Sequence, residues 1–449
     1  MPTSKWKRIL VAAALTSLIA QSVTLGAEQT LAFPSAEGFG ALANGGRGGK
    51  VLLVTNLDDY RPGRDEPVPG SLRAACETIG PRIVVFRVAG TIALKTTLNI
   101  AQPFITIAGQ SSPGDGVCLK HYGVSIRTHD VIVQYMRLRP GDELGSVYKK
   151  RGRSFEPDAL SINAGSRDVI IDHCSASWSI DECLSVSGAD ITNVTVQWCL
   201  ISESLNDSYH SKGPHGYGSL LRTNGHISFH HNIYAHHRSR SPRLGTYGEG
   251  SILLDFRNNV IYDSTGYSAA DPVRMNYIGK YIKRPRGHVF QVGGAATRMY
   301  VAGNFLEAGG ERNSDNWKLI SRAAEHNKAA EEYRVAKVST HTAQQAYDEV
   351  LRGSGASLPR RDAIDARLVR QIATGKGNLI DSQKQVGGYP ALRWVPGPAD
   401  RDQDGMPDSW ETKHGLDPRD FGDAAKDKDG DGYTNIEEWL NDTDPRRKL

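Results

Sequence analysis

Cysteine is scarce: Cys76, Cys118, Cys174, Cys183 and Cys199 are the five in 449 residues, and no two stand in a CxxC pair. That argues against a zinc site, and the odd count leaves at least one thiol free even where disulfides are permitted. Tight Asn-Gly turns between consecutive apolar runs are also rare, which disfavours a β-sandwich built from hairpins. Long hydrophobic runs are nearly absent. Ile9 to Ala20, preceded by Lys5, Lys7 and Arg8, is too short to span a bilayer comfortably. With the small residues Gly26 and Ala27 after it, it reads as a secretory signal over 1–27. The mature chain is therefore expected to be secreted, extracellular or periplasmic, without stable membrane insertion. A dominant charge is lacking too, since the formal +4 falls to +1 without residues 1–27. Global charge identifies no partner, and none of nucleic acid is expected.

Glycine, by contrast, is abundant at 47 residues, as suits a turn-rich chain. Between about residues 83 and 312 one pattern recurs, a short β-branched or aromatic run ending in a small or polar residue. Its instances are Val131 to Met136, Val169 to Cys174, Val194 to Cys199, Ile227 to Asn232, Leu254 to Asn259 and Met299 to Asn304. Their last members lie 38, 25, 33, 27 and 45 residues apart. The shorter intervals suit one turn of a parallel β-helix, and the excesses predict loops extruded from a turn. Cys174 and Cys199 occupy matching positions, where buried packing is the expected role. Asn232, Asn259 and Asn304 fall in one column, a ladder able to satisfy backbone groups inside the stack. The fold class expected is all-β, with a solenoid over 28–312. A helical extension over 313–399 is expected to pack on it, from helix formers in 316–352 and from Arg361 to Thr374.

Four charged residues share one phase of this repeat. Asp158 lies 16 residues before Cys174, Asp181 18 before Cys199, Lys212 20 before Asn232 and Arg240 19 before Asn259. Stacked coils would bring them to one corner, with Glu182 beside Asp181 and Arg243 three after Arg240. Clustered carboxylates repel unless a cation bridges them, and an oxygen-only set favours a hard ion, most simply calcium. Lys212, Arg240 and Arg243 beside it would receive an acidic polymer.

At these residues the chain resembles the pectate lyases of polysaccharide lyase family 1. The resemblance rests on Ala32 to Gly40, Ile107 to Gln110, Pro157 to Leu160, Ile171 to Cys174, Trp178 to Glu182, His231-Asn232 and Arg240-Ser241-Pro242-Arg243. It covers roughly 32–312 and implies a right-handed parallel β-helix and calcium-assisted β-elimination of polygalacturonate. By that resemblance Arg240 is the base that takes the C5 proton, and Asp158 and Asp181 hold calcium with Glu182 a neighbouring candidate. Lys212 and Arg243 bind substrate carboxylate, and Asp172 and His173 form a structural pair. Two positions depart from the family pattern: Ser185 where many members have an acid, and Gly245 where many have a second arginine. Arginine is a base only when strongly perturbed or at high pH, so an alkaline optimum is expected.

The C-terminal segment 400–449 carries two twelve-residue oxygen-ligand patterns. Asp400, Asp402, Asp404, Asp408 and Glu411 form one; Asp427, Asp429, Asp431, Asn435 and Glu438 form the other. Both match calcium loops of EF-hand type, with glycine at the sixth position. Pro407 is unusual there and fits a dockerin-like module as well. A calcium-stabilised cap is favoured over an attachment module for a protein or surface partner. A monomer is expected. The rival functions are a pectin lyase, which would need no bridging cation, and a non-catalytic pectin-binding solenoid. A glycosidase would leave Arg240 without a role.

Overall fold

The structure is a computed structural model that describes residues 29–448, so the signal segment expected over 1–27 lies outside the described residues. Among the described residues the strands form three parallel sheets, one of ten strands and two of nine. One turn of the chain shows the plan. Arg167–Asp172 lies in the first sheet, Ser175–Ser177 in the second and Leu184–Ser187 in the third, and the next turn repeats the order. This is a right-handed parallel β-helix. Register holds Val169 between Val131 and Val194, and Ile171 between Val133 and Val196. Alternate residues face inward, and Val131, Val169, Val194, Ile227, Leu254, Met275 and Met299 join one buried core.

The corner between the first and second sheets explains the repeat's ending. Its first residue is left-handed in seven successive turns: Tyr135, His173, Trp198, His231, Asn258, Gly279 and Gly303 have φ between 49° and 65°. Tyr135 stacks on His173 at 4.8 Å, and Trp198 on His231 at 4.5 Å. Asp172, buried beneath, accepts from His173, Gln134 and Gln197 at 2.7, 3.1 and 2.9 Å, a structural arrangement.

The corner's second residue points inward and forms the asparagine ladder. Asn232 Oδ1 accepts from the Cys199 amide at 2.8 Å, and Asn259 Oδ1 from the Asn232 amide at 2.9 Å. Their Nδ2 groups donate to Val196 and Phe229 carbonyls at 2.9 and 2.8 Å. The interval of 45 between Asn259 and Asn304 is not an extruded loop. It holds a further coil, with Val273–Ile278 in the first sheet and Lys280 in the ladder column. The Lys280 ammonium reaches the Phe256 carbonyl, the contact an asparagine amide would make there. Burial pushes that amine well below its ordinary pKa. All five cysteines are free and buried, with Cys174 and Cys199 in this column.

Of the helix-former stretch, Ala343–Gly353 is helical, with Thr342 and Gln345 forming a capping box, and most of 322–342 is irregular. Ala363–Thr374 follows, capped by Asp362 and closed by left-handed Gly375. Arg139, fully buried in the solenoid, clamps this helix through Asp362 and Asp365 at 2.5 and 2.6 Å. The C-terminal segment packs Met406, Ala424 and Ile436 on Ile83 and Val85 of an early coil. Arg47 pairs with the buried Glu437 at 2.9 Å. No helix among the described residues is long and apolar enough to cross a membrane.

Candidate active site and candidate calcium loops

The candidate site forms where the chain passes from the second sheet into the third. Asp158 enters Leu160–Asn163, Asp181 and Glu182 enter Leu184–Ser187, and Arg240 enters Arg243–Gly245. Because Leu160 pairs with Leu184, Asp158 stacks on Glu182, and Asp181 stands one residue ahead. The Glu182 amide donates to Asp158 Oδ1 at 3.1 Å, and carboxylate oxygens of all three acids lie within 4.8 Å of one another. Tyr217 bridges the next rung, between Glu182 and Ser239.

Electrostatics here are those of a site short of positive charge. Burial, reinforced by Glu182 and Asp181, holds Asp158 well above the usual carboxylate range, although the Ser185 hydroxyl opposes the rise. Burial and Asp181 push Glu182 up to about 7, with Arg240 opposing. The Arg240 guanidinium pairs with Glu182 and lies 3.9 Å above the Tyr217 ring. Burial disfavours its charge, but Glu182, together with Tyr267 and Tyr217, more than offsets that and raises its pKa. Its backbone is left-handed at φ 62°, a conformation arginine seldom adopts and one that recurs at functional sites. The buried Asp181 Oδ1 has no hydrogen-bond partner among the described residues. A bridging cation fits this donor set.

Lys212 forms no ion pair with the three acids among the described residues. It is exposed on the loop before Tyr217, its amide donating to His210 Nδ1 at 3.1 Å, and its charge faces Glu156. Arg243 lies on the outer face of the third sheet, in register with Leu220 and Tyr267. Sequence reasoning missed His210 and His215, whose rings stack at 3.3 Å, with His210 Nε2 3.6 Å from Asp181. It missed Tyr217 too. The run His210 to Tyr217 carried the signal in its alternation of rings with glycine and proline.

In the C-terminal segment Asp400, Asp402 and Asp404 gather, as do Asp427, Asp429 and Asp431. Asp408 is not part of the first group: it accepts from the Arg401 amide at 2.7 Å. Asp423, from outside the twelve-residue loop, joins Asp404 and Glu411 instead. Gly405 and Gly432 take φ of 98° and 103° at the sixth positions, which glycine alone adopts easily. Burial and neighbouring acids push Asp404 up to about 7, Glu411 to about 8 and Glu438 to about 7. Both Glu411 oxygens, both Glu438 oxygens, Asp423 Oδ1 and Asn435 Oδ1 are buried without hydrogen-bond partners among the described residues. Each loop therefore has the oxygens and the charge deficit that calcium satisfies.

No family model matches the chain. It is 35% identical to a probable pectate lyase C of Aspergillus fumigatus over 452 residues, spanning 97% of this chain and 99% of that protein. A probable pectate lyase C of Emericella nidulans is 34% identical over 429 residues, with 92% and 93% covered. Among solved structures, the major cedar-pollen allergen jun a 1 superposes with a TM-score of 0.52 at 18% identity, over 71% of this chain and 92% of that one. Fold and kinship together place the molecule among the parallel β-helix polysaccharide lyases. Within that class, the chain belongs to the pectate lyase family.

Proposed function

We propose that this protein cleaves polygalacturonate by calcium-assisted β-elimination, with Arg240 as the base. The observation that carries the reading is the meeting of Asp158, Asp181 and Glu182 beside Arg240 on one flank of the β-helix, in a chain of pectate lyase kinship. Calcium held by the three acids would neutralise their repulsion and draw electron density from a uronate carboxylate as charge develops. Arg240, deprotonated, takes the proton from C5, and the C5–H electrons delocalise into the uronate carboxylate. They then form the C4–C5 double bond as the C4–O bond breaks, and the departing oxygen is protonated by solvent. Tyr217 holds the guanidinium from below, and Arg243 offers a cation to the substrate's carboxylates. Glu182 favours the protonated form of Arg240, so turnover rises toward alkaline pH. A methyl-esterified polymer lacks the charge this acid-and-cation set would bridge, which disfavours the pectin lyase reading.

The C-terminal loops serve as calcium-held caps, because they pack on the early coils through Ile83 and Val85. Secretion from a signal over 1–27 completes the reading. The test is Arg240→Ala, with trigalacturonate binding followed by calorimetry and turnover followed by absorbance. Retained binding with turnover lost supports the base; retained turnover contradicts it.

A further inference from the structure

We propose that Arg222 is a second carboxylate-binding residue on the substrate-binding flank, held in place by Tyr247 and using the room that Gly245 leaves. This rests on the reading of that flank as a uronate site.

Register sets Arg222 opposite Gly245 and Leu220 opposite Arg243. Leu221 and Leu244 point into the core, so Arg222, Gly245 and Arg243 all face outward on the third sheet. The Arg222 guanidinium lies 3.9 Å from the Tyr247 ring centroid, and its Nε donates to the Thr246 carbonyl at 2.9 Å. That shelf is itself fixed. The Tyr247 hydroxyl meets Ser187 Oγ at 3.0 Å, and the Tyr247 amide and carbonyl both bond the Asn224 side chain at 2.9 Å. Neither terminal nitrogen of Arg222 has a hydrogen-bond partner, and neither Arg222 nor Arg243 forms an ion pair, among the described residues.

Gly245 explains how the space arises. A Cβ there would lie 3.4 Å from Arg222 Cγ and 2.9 Å from Asp271 Oδ2. Asp271 Oδ2 accepts from the Thr246 amide at 3.0 Å and forms no ion pair with Arg222 among the described residues. The cation that position 245 lacks is thus supplied one rung earlier. Arg222 and Arg243 stand on neighbouring rungs about 4.8 Å apart, offset by two residues along the strands, as two cations facing a polymer with a carboxylate on every sugar. An arginine stacked on an aromatic ring with its fork free is pre-set for bidentate carboxylate binding. Tyr247 acts through Arg222 and is a positioning residue.

The experiment titrates trigalacturonate into the calcium-loaded full chain by calorimetry, alongside steady-state kinetics on polygalacturonate. Arg222→Gln should weaken binding about tenfold or more and raise KM, leaving kcat at saturation within about threefold. Arg222→Lys should recover only part of the affinity. Tyr247→Leu should follow Arg222→Gln, and Tyr247→Phe, which keeps the ring but loses the Ser187 contact, should fall between that variant and wild type. Binding by Arg222→Gln within about twofold of wild type overturns the proposal. If that variant fails to fold, Arg222→Lys decides: wild-type affinity there overturns it equally. Product formation by the wild type is read separately. Weakened binding of the variant with no unsaturated product from the wild type would keep the Arg222 subsite and sink the lyase reading.

Discussion

Replacing Asn259 by alanine tests the device that holds the coils together. Its Oδ1 accepts from the Asn232 amide at 2.9 Å and its Nδ2 donates to the Phe229 carbonyl at 2.8 Å. Asn259 and Asn232 are both fully buried, so water cannot replace the missing partner. A buried backbone group left unsatisfied costs about 1–3 kcal/mol, and two such groups give about 2–6 kcal/mol. Asn232 keeps its bond to the Val196 carbonyl at 2.9 Å, which places the expected loss in the middle of that span. The assay is denaturant unfolding followed by tryptophan fluorescence, with Asn99→Ala as control, since Asn99 is an exposed strand residue. The control should stay within about 0.5 kcal/mol of wild type. Equal midpoints for the two variants would refute the ladder's structural role.

Acid should destabilise the fold through its buried neutral histidines. Burial pushes His230 down to about 3, His231 to about 2 and His237 to about 3. Below about pH 6.5 the unfolded chain binds protons that these folded imidazoles refuse, so stability is full above that pH and falls as pH drops toward 3. Unfolding midpoints in calcium should decline steadily between pH 7 and 4.5, and a flat profile would contradict the buried neutral assignment. For the C-terminal loops, Glu438→Gln should weaken tail calcium affinity at least about tenfold. Because Glu437, next in sequence, pairs with Arg47, the variant should also ease proteolytic release of the tail at limiting calcium. Unchanged calcium stoichiometry and protease resistance would remove the metal from the cap.

The β-helix was legible because stacking imposes a column, and the column's occupants are few in kind. Val131, Val169, Val194, Ile227 and Leu254 are inward neighbours in register, as the repeat indicated. The coil over Val273–Ile278 escaped because Lys280 replaces asparagine in the ladder, and a lysine reads as surface until its burial is known. The left-handed Gly279 and Gly303 were the surviving sign of that shared corner. At the site, phase sufficed to gather Asp158, Asp181 and Arg240. It could not place Lys212, because the loop before Tyr217 carries that residue out of the coil. Asp423 was hidden for a similar reason: it reaches the first acidic loop, beside Asp404 and Glu411, from outside the twelve-residue pattern. Arg222 and Tyr247 depend on register across two coils, which a sequence does not display.

Calcium-assisted β-elimination is decided by the ultraviolet absorbance of polygalacturonate incubated with the mature protein at alkaline pH, with calcium or with a chelator. A rise that needs calcium is expected, because β-elimination creates an unsaturated uronate. Appearance of reducing ends without that absorbance would mean hydrolysis and would contradict the account. If neither absorbance nor reducing ends appear while the polymer still binds, the protein is a binder and Arg240 is not a base.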